Sequence, residues 1–95
     1  YDPCPPIEVE CRTLYEVKEA ANLNVDRIML DNMDPAGIEK ALKLIPEHIE
    51  SEVSGGVDLS NIAKIARLGP DFISVGKITH QAGAADFSMR IKRKP

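Results

Sequence analysis

The sequence predicts an α/β fold of the partial (β/α) barrel type, and three observations carry that expectation. Apolar runs switch between strand-like and helix-like spacing from Ile7 to Val75, giving strand, helix, strand, helix, strand, helix, strand. Such alternation implies a parallel sheet with right-handed crossovers. An internal repeat lies over it. Leu14, Val17, Ala20, Leu23 and Asp26 recur 45 residues later as Leu59, Ile62, Ile65, Leu68 and Asp71, and Ile7-Glu8-Val9-Glu10 recurs as Ile49-Glu50-Ser51-Glu52 at an offset of 42. Repeated βα units favour a barrel over a doubly wound sheet. Length is the third observation: 95 residues stand against about 250 for a whole barrel, so four strands make a half-barrel that needs further chain around it.

Each element has its own signals. Ile7-Glu8-Val9-Glu10 alternates as a short strand. Thr13-Leu14-Tyr15-Glu16 is a capping-box pattern opening a helix whose apolar face is Leu14, Val17 and Ala20 with Ala21. Arg27-Ile28-Met29-Leu30-Asp31 is a second strand, apolar enough to be covered on both faces. Asp34-Pro35 supplies an N-cap and an N1 proline to a helix burying Ile38, Ala41, Leu42 and Ile45, which Pro46 ends. A strand from Ile49 to Val53 runs into Ser54-Gly55-Gly56. Asp58 is expected to cap a third helix with Leu59, Ile62, Ile65 and Ala66 inward, closed by Gly69-Pro70. Phe72-Ile73-Ser74-Val75 is the fourth strand, and a helical turn leading into 87–91 is expected beyond it.

Composition narrows the function classes. With 43% hydrophobic and 28% charged residues, the chain is globular rather than disordered. No apolar run is long enough to span a bilayer, and Tyr1 to Pro6 has neither the basic nor the apolar region of a signal peptide, which predicts a cytoplasmic or organellar setting. Cys4 and Cys11, with no further Cys or His cluster, read as reduced thiols. The net charge of −3 conceals four basic groups in the last six residues (Arg90, Lys92, Arg93, Lys94). Residues 1–89 therefore carry 8 basic against 15 acidic side chains, the wrong sign for a nucleic-acid surface.

Ligands of parallel α/β proteins collect at the C-terminal ends of strands. This chain places Glu10, Asp31 with Asn32, Ser54-Gly55-Gly56, and Gly76 with Lys77 there. Glu10 and Asp31 either share a hard divalent cation such as magnesium or merely cap helices and meet solvent. Ser54-Gly55-Gly56 before a helix fits a phosphate cradle, where glycines let backbone amides approach an anion and the helix N-terminus favours negative charge. A turn that needs positive φ would look the same. Gly76 at the next strand end strengthens the phosphate reading, and His80 lies within reach of the same pocket as a phosphate contact or a solvated group. His48 is at a strand entrance and receives no role. Met29, Met33 and Met89 read as packing, and Asp2, Asp26, Asp71 and Glu47 as turn or surface groups.

Ile7-Glu8-Val9-Glu10, Ile28-Met29-Leu30-Asp31-Asn32-Met33, Glu52-Val53-Ser54-Gly55-Gly56-Val57, Ser74-Val75-Gly76 and Thr79-His80, in this order, resemble the C-terminal barrel segment of the quinolinate phosphoribosyltransferases. The likeness covers about Ile7 to Ile91. It implies the type II phosphoribosyltransferase specific for quinolinate, an enzyme also called nicotinate-nucleotide pyrophosphorylase (carboxylating). Such an enzyme transfers phosphoribose from phosphoribosyl pyrophosphate to quinolinate with decarboxylation, giving nicotinate mononucleotide, carbon dioxide and pyrophosphate on the route to NAD. It also implies a magnesium requirement and a homodimer. On the same resemblance, Glu10 and Asp31 bind the ribose hydroxyls and magnesium and act catalytically. Ser54, Gly55 and Gly56 hold the 5-phosphate, and Gly76 and His80 belong to the last phosphate-side loop. Lys77, Ile78 and Gln81 depart from the family pattern, as does the Cys4-Pro5-Pro6 lead-in. The resemblance places an N-terminal sandwich domain and earlier barrel strands, which carry the basic residues for quinolinate, outside these 95 residues. The segment alone is therefore expected to be inactive. Two alternatives stay open: a non-catalytic half-barrel that associates with another chain, and a related pyrophosphorylase-like protein associated with molybdate transport.

Overall fold

A computed structural model describes residues 6–75 and the backbone of residues 87–90. The elements are β1 (Glu8–Cys11), α1 (Leu14–Ala21), β2 (Arg27–Asp31), α2 (Pro35–Leu44), β3 (Glu50–Ser54), α3 (Ile62–Arg67), β4 (Phe72–Val75) and β5 (Phe87–Arg90). The five strands form one sheet in the order β1-β2-β3-β4-β5. The first four are mutually parallel, and β5 runs antiparallel to β4. The sheet is thus mixed at one edge, where a wholly parallel one was expected. Among the described residues strand order never reverses, so they show no topological switch point of the doubly wound kind. The α/β class and its partial (β/α) barrel form hold.

Helix boundaries follow the capping chemistry. Thr13 Oγ1 accepts the amide of Glu16 at 3.1 Å, and Glu16 Oε1 reaches back to the amide of Thr13 at 3.3 Å and that of Arg12 at 2.7 Å. Asp34 Oδ1 accepts the amide of Gly37 at 2.7 Å, with Pro35 opening α2. Pro46 pushes Ile45 into extended backbone (φ −86°, ψ 122°), and α2 stops. Gly69, at φ +92°, follows the C-cap Leu68 of α3 in the left-handed conformation that an L side chain resists.

The start of α3 departs from expectation. Asp58 caps a turn ahead of the helix: Asp58 Oδ1 accepts the amide of Ser60 at 2.9 Å, and its carbonyl accepts the amides of Asn61 and Ile62. That bonding with Ser60 holds the exposed Asp58 carboxyl below its ordinary range. The helix begins only at Ile62, with Asn61 at the N-cap and no side-chain cap bond. Leu59 therefore sits on the turn and is 70% exposed instead of facing the core.

Strand parity divides the sheet into two unlike faces. Cys11, Ile28, Leu30, Val53, Ile73 and Val75 point toward the helices and are essentially inaccessible. They pack with Val17 and Ala20 of α1, Ile38 and Ala41 of α2, and Ile65 of α3. Each fully buried aliphatic side chain contributes about 1.5–3 kcal/mol relative to exposure. The opposite face carries Glu8, Glu10, Arg27, Met29, Asp31, Glu50, Glu52, Ser54, Phe72 and Ser74, by alternation along each strand. The apolar run of β2 suggested cover on both faces, yet Arg27, Met29 and Asp31 are only half-buried. This second face is a charged one.

The sequence repeat has a structural counterpart. Asp26 and Asp71 each precede a strand, and each accepts an amide from the start of the neighbouring strand. Asp26 Oδ2 receives Ile7 N at 2.7 Å, and Asp71 Oδ2 receives Ser51 N at 2.9 Å. Asp71 is not a surface group. It is 5% exposed, and Ser51 Oγ also accepts its amide at 3.0 Å, closing a buried link between β3 and the entrance to β4. Cys11 is a buried free thiol whose burial, with a further push from the Glu16 charge, raises its pKa. Cys4 lies outside the described residues, as do the turn expected before residue 87 and Ile91.

Candidate functional site at the C-terminal strand ends

The parallel register fixes what can meet at the top of the sheet. Glu10 pairs with Met29 and Asp31 with Ser54, so Glu10 and Asp31 lie on one face of adjacent strands, with Asp31 one inward-facing position further along. Immediately beyond, the chain turns sharply. Asn32 takes φ 60° and its amide donates to the Ser54 carbonyl at 2.9 Å, tying the β2 end to the β3 end. Gly55 (φ +78°) and Gly56 (φ +75°) follow.

Gly55 is required for two reasons. Its φ is left-handed, and a Cβ there would stand 2.6 Å from Asp31 Oδ1 and 2.9 Å from the amide nitrogen of Asn32. The glycine loop is therefore packed directly on the carboxylate. A Cβ at Gly56 would stand 3.4 Å from Asn32 Oδ1, close but clear of backbone. The far side of the loop is held by Asn61, whose Nδ2 donates to the Gly56 carbonyl at 2.7 Å while its Oδ1 accepts the amide of Asp58 at 2.9 Å. Sequence reasoning gave Asn61 no part. Its only signal is an amide side chain five residues after a glycine pair. The loop does not abut a helix N-terminus, because the turn at residues 59–61 intervenes. Any anion held here would rest on loop amides, not on the dipole of α3.

Asp31 has a partner that the sequence did not suggest. Arg12 Nε donates to Asp31 Oδ2 at 3.0 Å, with the arginine side chain 68% exposed and the aspartate 19%. Arg12 immediately follows β1 and continues its register opposite Asp31.

Below this layer the same face holds a connected polar cluster. Arg27 donates through Nη1 to Glu52 and through Nη2 to Glu50, each at 3.0 Å, and its Cζ lies 3.8 Å from the centroid of the Phe72 ring. Ser74 Oγ donates to Glu52 Oε2. Burial pulls the guanidinium pKa down, but hydrogen bonds to Glu50 and Glu52 outweigh it and raise the net value. Glu8 lies on the same face, in register with Arg27, and feels the Glu52 carboxylate. Burial first, then Glu52, raises the Glu8 carboxyl above its ordinary 4.5.

This sets a pH dependence. A carboxyl raised in the folded state contributes its stability fully below pH 4.5 and loses it as pH climbs through the folded value. Glu8→Gln is therefore expected to raise the thermal midpoint at pH 7, with the gain shrinking toward pH 4. Melting curves at the two pH values check this, and a gain equal at both would contradict it.

Among the described residues the structure thus brings Glu10, Asp31, Ser54, Gly55 and Gly56 to one end of the sheet. Gly76, Lys77 and His80 lie outside the described residues. His48 is at the other end, beside a groove of about 760 Å³ between α2 and α3 that Lys43, Ser51, Arg67 and Asp71 help to line. Among the described residues no group of three or more His, Cys, Asp or Glu is placed to hold a metal, and no helix is long and apolar enough to cross a membrane.

Successive parallel βα units, with carboxylates and a glycine loop gathered at the strand ends, define an α/β barrel segment with one polar end. The family model for the C-terminal domain of quinolinate phosphoribosyl transferase matches residues 1–90, and the chain belongs to that family. It is 43% identical over 94 residues to a probable nicotinate-nucleotide pyrophosphorylase (carboxylating) from Methanocaldococcus jannaschii, covering 92% of this chain and 33% of the relative. It is 38% identical to the nicotinate-nucleotide pyrophosphorylase (carboxylating) of Rattus norvegicus, covering 90% of this chain and 29% of the relative. The crystal structure of a NadC deletion mutant in a cubic space group superposes with a TM-score of 0.73 at 38% identity, covering 88% of this chain and 30% of that one. The chain spans about a third or less of the length of the relatives it matches.

Proposed function

We propose that this segment supplies the phosphoribosyl-binding half of an enzyme that transfers phosphoribose from phosphoribosyl pyrophosphate to quinolinate with loss of carbon dioxide. Products are nicotinate mononucleotide and pyrophosphate, on the route to NAD. The observation that carries the reading is the packing of the glycine loop against Asp31: the residues for a ribose and for its 5-phosphate form one continuous surface across β2 and β3. Gly55 and Gly56 are exposed, and their amides meet no acceptor among the described residues, which suits an anion cradle. Gly76 and His80 are assigned to the neighbouring phosphate-side loop. Glu10 and Asp31 are the groups placed to hold the ribose and to stabilise positive charge as the bond to pyrophosphate loosens.

Magnesium fits this donor set in a specific way. Two hard carboxylates on one face, without a third ligand among the described residues, suit an ion that arrives with substrate oxygens more than one the protein cages alone. Glu10 and Asp31 would hold it, and bound there it would neutralise phosphate charge. Quinolinate needs basic groups that an acidic segment does not provide, so further barrel strands and an N-terminal domain are assigned to the rest of the enzyme, acting as a homodimer. A cytoplasmic or organellar setting suits this reading, and the rice relative is named as chloroplastic.

The test is turnover by a full-length enzyme that carries this segment, supplied with quinolinate, phosphoribosyl pyrophosphate and magnesium. Equal yields of nicotinate mononucleotide, carbon dioxide and pyrophosphate are expected. Product formation from another acceptor without carbon dioxide would refute the assignment.

The glycine loop permits a separate test without catalysis. Gly55→Val is a poor probe, because its side chain would strike Asp31 as well as any bound anion. Gly56→Ala keeps clear of backbone atoms but is strained by its positive φ and narrows the loop mouth. It is expected to weaken ribose 5-phosphate binding by about tenfold, or about 1.4 kcal/mol, while quinolinate affinity stays within about twofold. Calorimetry with the two ligands checks this.

A further inference from the structure

Arg12 pairs with Asp31 at the C-terminal strand ends without belonging to the carboxylate and glycine set there. Its position is unusual among the cations of the described residues. Among the described residues the other basic side chains lie either at the N-terminal end of β2 (Arg27) or on the helices (Lys18, Lys40, Lys43, Lys64 and Arg67). Arg12 alone among them follows a strand at the ligand end of the sheet.

Its backbone is fixed from below, because the Arg12 amide donates to Glu16 Oε1 at 2.7 Å within the α1 capping box. Its side chain is fixed from beside, because Nε donates to Asp31 Oδ2 at 3.0 Å. A guanidinium offers five N–H donors in a rigid fork. With Nε on Asp31, the hydrogens on Nη1 and Nη2 remain for a ligand, and the side chain is 68% exposed. An arginine oriented by a carboxylate with its fork left open suits an oxyanion better than a lysine would.

Strand order says which anion. Across the sheet the ligand end reads Arg12 just after β1, Asp31 at the end of β2, and Ser54-Gly55-Gly56 at and just after the end of β3. Neighbouring strands are about 4.8 Å apart, so the outer two are about 10 Å apart. If the ribose lies over Asp31 and the 5-phosphate in the glycine loop, the anomeric carbon and its diphosphate face β1. That is the direction in which negative charge accumulates as the leaving group departs.

Resting on the phosphoribosyl reading above, we propose that Arg12 is a substrate-binding residue whose guanidinium, oriented by Asp31, contacts the anomeric diphosphate. In the reaction the C1–O bond to the diphosphate breaks, the electron pair stays on the diphosphate oxygen, and Arg12 donates hydrogen bonds to the departing group without giving up its proton.

The experiment measures three ligands by calorimetry on a full-length enzyme carrying this segment, with magnesium and no acceptor: phosphoribosyl pyrophosphate, inorganic pyrophosphate and ribose 5-phosphate. Arg12→Ala is expected to weaken the first two by about tenfold or more, and ribose 5-phosphate by less than about twofold. Arg12→Lys should recover part of the loss, since charge returns without the fork. Phosphoribosyl pyrophosphate affinity within twofold of wild type overturns the proposal. An equal loss for ribose 5-phosphate also overturns it, because Arg12 would then act only by placing Asp31. A wild-type enzyme that binds pyrophosphate through Arg12 but not phosphoribosyl pyrophosphate upholds the diphosphate contact and refutes the phosphoribosyl reading. Failure to bind either diphosphate refutes both.

Discussion

Asp31→Asn in a full-length enzyme carrying this segment is expected to lower turnover by about 30- to 1000-fold, equivalent to about 2–4 kcal/mol of lost transition-state stabilisation. The change keeps the side chain's shape, so the tight seat beside Gly55 survives, but it removes the charge proposed to face the ribose. Folding should barely notice. The ion pair with the 68%-exposed Arg12 is a surface pair, and such pairs contribute about 0–1 kcal/mol. Steady-state kinetics at saturating magnesium and substrates, set beside a denaturant titration, separates the two effects. Unchanged turnover would remove Asp31 from the site.

Arg27→Met is expected to have the opposite profile. It removes the partner of Glu52, which is 5% exposed, and of Glu50, leaving a buried carboxylate without its strongest counter-charge. Breaking a buried pair costs about 3–5 kcal/mol, and partial exposure of Arg27 brings the expectation to about 2–3 kcal/mol. The double change Arg27→Met, Glu52→Gln should recover part of that loss, a coupling that a double-mutant cycle reads directly. Turnover per folded molecule should stay near wild type, since Arg27 lies at the far end of β2 from Asp31. Additive losses in the cycle would mean the two side chains do not depend on each other.

These contrasting profiles show what the sequence could and could not reveal. Local grammar carried the helices: the Thr13–Glu16 box, the Asp34-Pro35 start and the Gly69 stop all act within a few residues of each other. The repeat also proved physical, because Asp26 and Asp71 perform the same amide-accepting task. Asp58 misled because a carboxylate that caps a turn and one that caps a helix have the same sequence signature, and only the geometry at Ser60 separates them.

Cross-strand chemistry was harder to read. Glu8, Arg27, Glu50 and Glu52 are each unremarkable alone, and their cluster exists only once register sets them side by side. A period-2 alignment of the charged positions on the first three strands was the available signal. Arg12 was hidden for a similar reason: it meets Asp31 from 19 positions away in the sequence. The strand-end carboxylates and the glycine pair were legible because strand termini are marked locally. That the pair needs its glycines partly to make room for Asp31 was not.

The proposed function requires β2 and β3 together to present one ribose-and-phosphate surface. The most direct measurement is the crystal structure of a full-length enzyme carrying this segment with phosphoribosyl pyrophosphate and magnesium bound. The expected complex has 5-phosphate oxygens within hydrogen-bond distance, about 2.7–3.2 Å, of the Gly55 and Gly56 amides, and ribose hydroxyls on Asp31 or Glu10. A 5-phosphate bound away from the 54–56 loop, with neither carboxylate touching the ribose, would contradict it.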